Sequence, residues 1–371
     1  MARVMNFSAG PAALPAVALL RARDELLDWQ GTGMSVMEQS HRGKAYERLH
    51  QEALSLLAKH LQIGTDKTVL LLQGGATQCF ATVPMNLLRR GREAEYVVTG
   101  VWGEKALGEA TQLAGPLGAS AREVPWEGSR KGTRAPRATE LTLSDDAAYL
   151  HTTSNETIHG VQLGLTPETP FPSSRAPHVC DMSSDFLGRR LDMSRFALVY
   201  AGAQKNLGPS GVVVVVADNE LMAGARDDVA DIFRFAVHAK HGSLFNTPPT
   251  LAIYLVRNVL LWLEGQGGIE AIERQNEEKA RLVYAEIDRA PDFYRCPVEL
   301  GSRSLMNVVF RLPTAELEAR FVADAAAGGM VGLKGHRSVG GVRASLYNAV
   351  PVAAAQSLAS FMREFHRTCV A

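Results

Sequence analysis

Cysteine is scarce in this chain: four among 371 residues, Cys79, Cys180, Cys296 and Cys369, far apart and without a Cys-x-x-Cys pair. That usage suits free thiols in a reducing compartment better than a disulfide framework or a zinc site. Net charge is missing as well. Thirty-nine Lys and Arg balance thirty-nine Asp and Glu, so no overall field recruits nucleic acid or an anionic membrane, and any charge that matters is local. Long apolar runs are also lacking, since VVVVVA at 212–217 is far too short to span a bilayer as a helix. The N-terminal AALPAVALL imitates a signal-peptide core, but prolines interrupt it, no cleavage pattern follows, and RARDELLDW continues as an amphipathic helix that Pro15 can open. The expected location is cytoplasmic. His238 and His241 form an HxxH pair with no accompanying carboxylate pattern, so no metal is expected and the pair reads as part of a loop.

What is present is a globular composition, 46% hydrophobic, on a chain long enough for two domains. Helical patterning at 16–30 and 44–61 precedes a recurring strand–turn–helix theme: KTVLLLQGG then ATQCFATVPMNLL, EYVVTG then VWGEKALGEATQLA, AAYLHTT then SNETIHG. PHVCDMSSD, FALVYAGAQKN and VVVVVA add further strand candidates. Apolar bursts alternating with amphipathic segments predict an α/β fold, a mostly parallel sheet covered by helices, because strands buried on both faces read as continuous apolar runs. After the apolar helix in TPPTLAIYLVRNVLLWLEGQGG the texture changes to a charged helix, two short strand candidates and two more helices. The expected division is a large domain over 15–260 and a smaller α/β domain over 261–371 that takes in the N-terminal segment 1–14. WEGSRKGTRAPRATE, 126–140, reads as an exposed basic loop.

Within YAGAQKNLGPSGVVVVV, Lys205 lies in a small-residue turn between two buried strands. Burial is costly for an ammonium, so such a lysine reaches solvent, pairs with an acid, or is held neutral as a nucleophile. In the last case it forms a Schiff base with an aldehyde, the usual anchoring of pyridoxal 5′-phosphate (PLP). Alone it reads equally as a surface-turn lysine, so its neighbours matter. Asp181, ending the strand in VCDMSSD, can keep a pyridine nitrogen protonated, or merely cap a turn. Trp102, after a strand at a glycine, offers a plane for ring stacking, or core packing. Gly74 and Gly75 before Ala76 and Thr77 place free amides at a helix start, where a phosphate binds; Gln204 adds a side-chain donor. Thr157 in SNETIHG can meet a ring oxygen. Two basic clusters among glycines, His41 with Arg42 and His336 with Arg337 and Arg343, fit carboxylate or phosphate groups.

These motifs stand together in one order: NFSAGPAALP, SVMEQSHRGK, GGATQCFA, SNETIHG, AGAQKNLGPSG, FNTPPT and LKGHRSVGGVRAS. On them the chain resembles, over nearly its whole length, the phosphoserine aminotransferase family, class V PLP enzymes of the aspartate aminotransferase fold (fold type I). The resemblance implies Lys205 as the Schiff-base lysine, Asp181 as the pyridinium partner, Trp102 as the stacking plane, Thr157 at the ring hydroxyl, and Ala76, Thr77 and Gln204 at the phosphate. It also implies that Asn246 and Thr247 reach the cofactor phosphate of a neighbouring subunit, hence a homodimer. Arg343 is implied at the substrate α-carboxylate, with His41, Arg42, His336 and Arg337 at the distal phosphate or carboxylate and Ser8 at the site's edge. Thr77 stands where some members carry arginine, which leaves the distal anion more dependent on Arg42 and the GHR cluster. The implied reaction interconverts 3-phosphooxypyruvate and glutamate with O-phospho-L-serine and 2-oxoglutarate, and a phosphorylated hydroxythreonine precursor of vitamin B6 offers the same phosphate and α-carboxylate. A serine:glyoxylate-type transaminase needs fewer distal cations. A cysteine desulfurase needs a mobile nucleophilic cysteine that none of the four provides. A passive PLP- or nucleotide-binding protein has no use for an α-carboxylate clamp.

Overall fold

The computed structural model describes residues 3–370. The apolar bursts become a seven-stranded sheet in the order Lys67–Gly74, Gly211–Asp218, Leu198–Gly202, His178–Asp181, Leu150–Thr153, Glu93–Val97, Ser120–Glu123. Five neighbouring strands run parallel through four pairings, and only Gly211–Asp218 runs antiparallel to both of its partners. That exception follows from its short connection: a parallel return needs a crossover of about a dozen residues or more, which the turn at 203–210 does not supply.

Both faces of the sheet are covered, which is why its strands read as unbroken apolar runs. Val212, Val214 and Val216 face helices Lys44–Leu61 and Thr250–Gly265, packing with Leu49, Ala53, Ile253 and Leu260. Val213 and Val215 point the other way, toward Phe80 and Val83 of helix Ala76–Leu87 and Ala106 and Ala110 of helix Val101–Leu117. Another apolar cluster gathers Phe7, Val283, Ile287, Phe310, Phe321 and Leu358. Two elements serve both sides of this division. Helix Gly268–Arg289 gives Ile269 and Ile272 to the first cluster and Val283 and Ile287 to the other. Strand Asn307–Phe310, antiparallel to Val342–Ser345, turns Val309 one way and Val308 and Phe310 the other. Near the N-terminus, Met5–Asn6 pairs in parallel with Met330–Val331.

Three sequence expectations are corrected. The helix read over 16–30 stops at Asp24, with Glu25 as its C-cap, and farther on Gln30, Gly31 and Gly33 take left-handed backbone (φ 55°, 73° and 71°) that keeps it from resuming. SNETIHG is no helix but a hairpin, Asn155–Glu156 against Val161–Gln162, its polar side chains buried and bonded within the protein. The segment 126–140 is not an exposed basic loop: the Trp126 indole donates to the Val98 carbonyl at 3.2 Å, and Arg134 meets Glu140 through two bonds of 2.6 and 2.7 Å. Local carboxylates neutralise the charge that made it look solvated. Among the described residues no helix is long and apolar enough to cross a membrane.

All four cysteines are free. Burial pushes the Cys79 thiol up to about 12 and raises Cys180 well above the ordinary thiol range. Ellman's reagent at pH 8 is therefore expected to leave Cys79 and Cys180 unmodified in the native protein and to titrate four thiols after denaturation. Peptide mass mapping identifies the protected pair; rapid labelling of either one contradicts the packing described.

Candidate active site

The carboxyl ends of the strands that run with the parallel set lie along one edge of the sheet, the position where open α/β sheets form a binding crevice. Gly74 ends the first strand, Trp102 follows Glu93–Val97, Thr157 follows Leu150–Thr153, Asp181 ends His178–Asp181, and Lys205 follows Leu198–Gly202. Register places Thr153, Asp181 and Tyr200 side by side. Residues scattered over the sequence thus converge because their strands end together.

Lys205 is partly buried and its Nζ donates to Thr157 Oγ1 at 2.7 Å. Among the described residues no carboxylate lies within ion-pair distance of it. Desolvation lowers its pKa to about 8, against the raising pull of Asp181 and Glu156 and with a further lowering from Arg343. The ammonium lies 5.6 Å from the Trp102 ring centroid. Asp181 is buried, and burial raises its pKa against Lys205 and the Ser183 hydrogen bonds. Its Oδ1 accepts from the Ser183 amide (2.9 Å) and hydroxyl (2.6 Å). Oδ2 accepts nothing among the described residues. Gln204 folds back over Gly202, where an added Cβ would come within 2.6 Å of its Oε1.

At the end of the first strand, Gly74 has φ +126° and an added Cβ would meet the Gln78 amide, so glycine serves there. Helix Ala76–Leu87 begins at once, and the amides of Ala76 and Thr77 donate to no carbonyl among the described residues. Free amides and the positive end of the helix dipole together make an anion seat.

Arg343 Nη1 donates to the Thr157 carbonyl at 3.3 Å, while its Nε and the Trp102 Nε1 are buried without partners. Burial lowers the His336 pKa, and Arg343, Arg337 and Lys105 lower it further. A cavity of about 240 Å³ runs between Arg343, His336, His159 and Lys131. Ser8 packs against Gly332, and the chain continues so that Gly10 lies against the Lys205 stem. His41 and Arg42 sit in the turn before helix Lys44–Leu61, touching each other at 3.4 Å. Asn246 lines a separate cavity with Gln78, Ile232 and Phe233, and Thr247 is exposed beside it. None of these four makes a hydrogen bond to Lys205, Asp181 or Trp102 within the described chain. His238, from the HxxH pair, is buried and its Nε2 donates to the Ile232 carbonyl; among the described residues no group of three or more possible ligands could hold a metal.

Glu156 was invisible to the sequence reading. It is 0% exposed and its two oxygens accept the amides of Trp102 (3.3 Å) and Gly103 (3.1 Å), with burial raising its pKa to about 7. Its only signal in the sequence is adjacency to Thr157.

The aminotransferase class-V family model matches residues 4–358. Phosphoserine aminotransferase of Geobacillus kaustophilus is 50% identical over 368 residues, covering 99% of each chain. The chain belongs to the phosphoserine aminotransferase family. Another member, phosphoserine aminotransferase 2, chloroplastic, of Arabidopsis thaliana, is 47% identical over 98% of this chain and 84% of its own. The solved phosphoserine aminotransferase from Bacillus circulans subsp. alkalophilus superposes with a TM-score of 0.91 at 48% identity, covering 99% of both chains. That of Trichomonas vaginalis, solved with PLP bound, has a TM-score of 0.91 at 36% identity over 97% of this chain and 100% of its own. A Thermus thermophilus aspartate aminotransferase, 20% identical over 98% of this chain and 99% of its own with a TM-score of 0.76, shares the fold, PLP fold type I.

The lowered Lys205 pKa has a sign that can be read directly. Below about 8 the amine is protonated, so its unprotonated fraction drops tenfold per pH unit, and above about 8 it levels off. In apoprotein, the rate at which an amine reagent modifies Lys205, followed by peptide mass analysis, is expected to rise with pH, reach half its maximum near 8 and level off about one unit higher; a midpoint above pH 10 contradicts the environment described.

Proposed function

We propose that the chain is a PLP-dependent phosphoserine aminotransferase, interconverting O-phospho-L-serine and 2-oxoglutarate with 3-phosphooxypyruvate and L-glutamate, in L-serine biosynthesis. The single observation that carries this reading is the Lys205 amine, held by the Thr157 hydroxyl beside Trp102 with no carboxylate paired to it. The donor set fits PLP. Free amides at Ala76 and Thr77 with Gln204 suit its phosphate, the open Oδ2 of Asp181 suits its ring nitrogen, Trp102 suits its face and Thr157 suits its ring oxygen. When bound, PLP supplies an aldehyde for Lys205 and a ring that takes up the electron pair left at the substrate Cα.

The protein's own groups do the rest. Asp181, ionised beside a cation, keeps the ring nitrogen protonated. Arg343, with an unused Nε, grips the α-carboxylate and so aims the Cα–H bond at Lys205, whose amine, displaced by the substrate amine, would take the Cα proton and deliver it to the cofactor's exocyclic carbon. His336 and Arg337, joined by His41 and Arg42, receive the distal group. A cluster of several cations accommodates both a carboxylate and a phosphate where one fixed pair would not. The same clamp is proposed to accept the phosphorylated vitamin B6 precursor. Ser8, at the edge, borders the substrate entrance.

The second set of residues is proposed to act across a homodimer. Leu27 is 84% exposed, with Met34 and Met37 also exposed just before His41 and Arg42, and Ile232 and Phe233 are exposed beside Asn246. Apolar surface of that kind marks an interface, and pairing two chains there carries His41, Arg42, Asn246 and Thr247 toward a partner's Lys205. We also propose residues 261–371 with 1–14 as a small domain on a large one over 15–260, and a cytoplasmic location, supported by the four free thiols.

A coupled assay of phosphoserine with 2-oxoglutarate tests the reading. Lys205→Ala is expected to abolish turnover. Arg42→Ala is expected to raise KM by about 10- to 100-fold, the factor for losing a hydrogen bond to a charged group. Full activity in Lys205→Ala, or serine with glyoxylate preferred over phosphoserine, overturns the assignment. Mixing Lys205→Ala and Arg42→Ala subunits is expected to restore activity, because one of the two composite sites in each hybrid dimer is then intact; verified exchange without restoration rules out shared sites.

A further inference from the structure

We propose that Glu156 is a positioning residue: its buried carboxylate fixes the first turn of helix Val101–Leu117 and thereby the plane of the Trp102 ring over Lys205. A helix of this kind is ordinarily capped by a Ser, Thr, Asp or Asn of its own. Here the N-cap is Gly100, which has no side chain to offer, and the two oxygens that take the first free amides come from a distant hairpin. The local sequence makes room for that carboxylate. A Cβ at Gly100 would come 2.8 Å from Glu156 Cδ and 2.6 Å from His159 Nδ1, and one at Gly103 would lie 3.6 Å from Glu156 Oε1.

The carboxylate is itself held on a rigid base. Asn155, next to it, donates to Ser184 Oγ and Asn307 Oδ1 at 2.8 Å each and accepts from the Ser304 hydroxyl at 2.6 Å. On the other side Thr157 takes the Lys205 amine on its hydroxyl and Arg343 on its carbonyl. One dipeptide therefore ties the stacking wall to the reactive amine and the carboxylate grip, with Glu156 as the link to Trp102. A simple structural cap would require none of this alignment, only a satisfied helix end.

The inference rests on the cofactor reading above, and the test separates the two. Full-length apoproteins carrying Glu156→Ala and Glu156→Gln, each with Trp102 and with Trp102→Ala, are titrated with PLP. Dissociation constants come from the cofactor absorbance, ring orientation from the circular dichroism of the bound cofactor band, and stability from apoprotein melting. Glu156→Ala is expected to weaken PLP by about 10-fold and Glu156→Gln, which retains one acceptor oxygen, by about 3-fold, as loss of two or one capping bonds implies. Both are expected to alter the dichroic band. In the Trp102→Ala background the same changes are expected to shrink below about 2-fold, because a residue acting through a missing partner has nothing left to act on. Equal effects in both backgrounds, or a lower melting temperature with unchanged affinity and dichroism, overturn the proposal. If Glu156→Ala does not fold, the Gln cycle makes the same comparison. A wild type without a cofactor band, or a band unchanged in Lys205→Ala, overturns the cofactor reading itself.

Discussion

An amine kept inside protein with a hydroxyl, not a carboxylate, as its nearest partner is the constraint on which the rest of this molecule depends. A paired lysine would be a stable cation and a poor nucleophile; an exposed one would hold its proton to about pH 10. Lys205 escapes both fates because the acids whose charge reaches it, Asp181, Glu156 and Asp185, are each engaged elsewhere, by Ser183, by the amides of Trp102 and Gly103, and by Ser154 and Gln162. They moderate the desolvation of the lysine without seizing it.

That arrangement needs the sheet. Side chains separated by about a hundred positions meet because parallel strands deliver their carboxyl ends to one edge, and because the one reversed strand, Gly211–Asp218, lets the Lys205 turn double back without a crossover helix. The apolar alternation on that strand locks its register on both faces, since a slip by one residue would exchange every valine between two different helix layers. Precision at the amine is therefore inherited from packing far below it.

Much of this was legible in the residues. Continuous apolar runs announced a covered parallel sheet, and Lys205, Asp181, Trp102 and the Gly74–Gly75 pair stood at strand ends where chemistry gathers. Other features were hidden for physical reasons. Glu156 meets its partners across more than fifty residues, a contact that no local pattern records. The segment 126–140 looked solvated because its arginines are counted before their carboxylates are placed. Helix 16–30 was overextended because the chain leaves the helix over 25–28 with no glycine or proline there to mark the stop. SNETIHG has turn formers and a strand's neighbours, and polarity alone could not distinguish a buried hairpin from an amphipathic segment.

Helix Gly268–Arg289 lends its first turns to one apolar cluster and its later turns to another. Shared in this way, it denies either body an independent melting transition, and heat should dissolve the chain in a single cooperative event. Dissection experiments meet the same obstacle. A fragment cut on either side of that helix would expose a naked greasy stripe, so those wishing to study one half in isolation would do better to redesign that surface than merely to shorten the polypeptide.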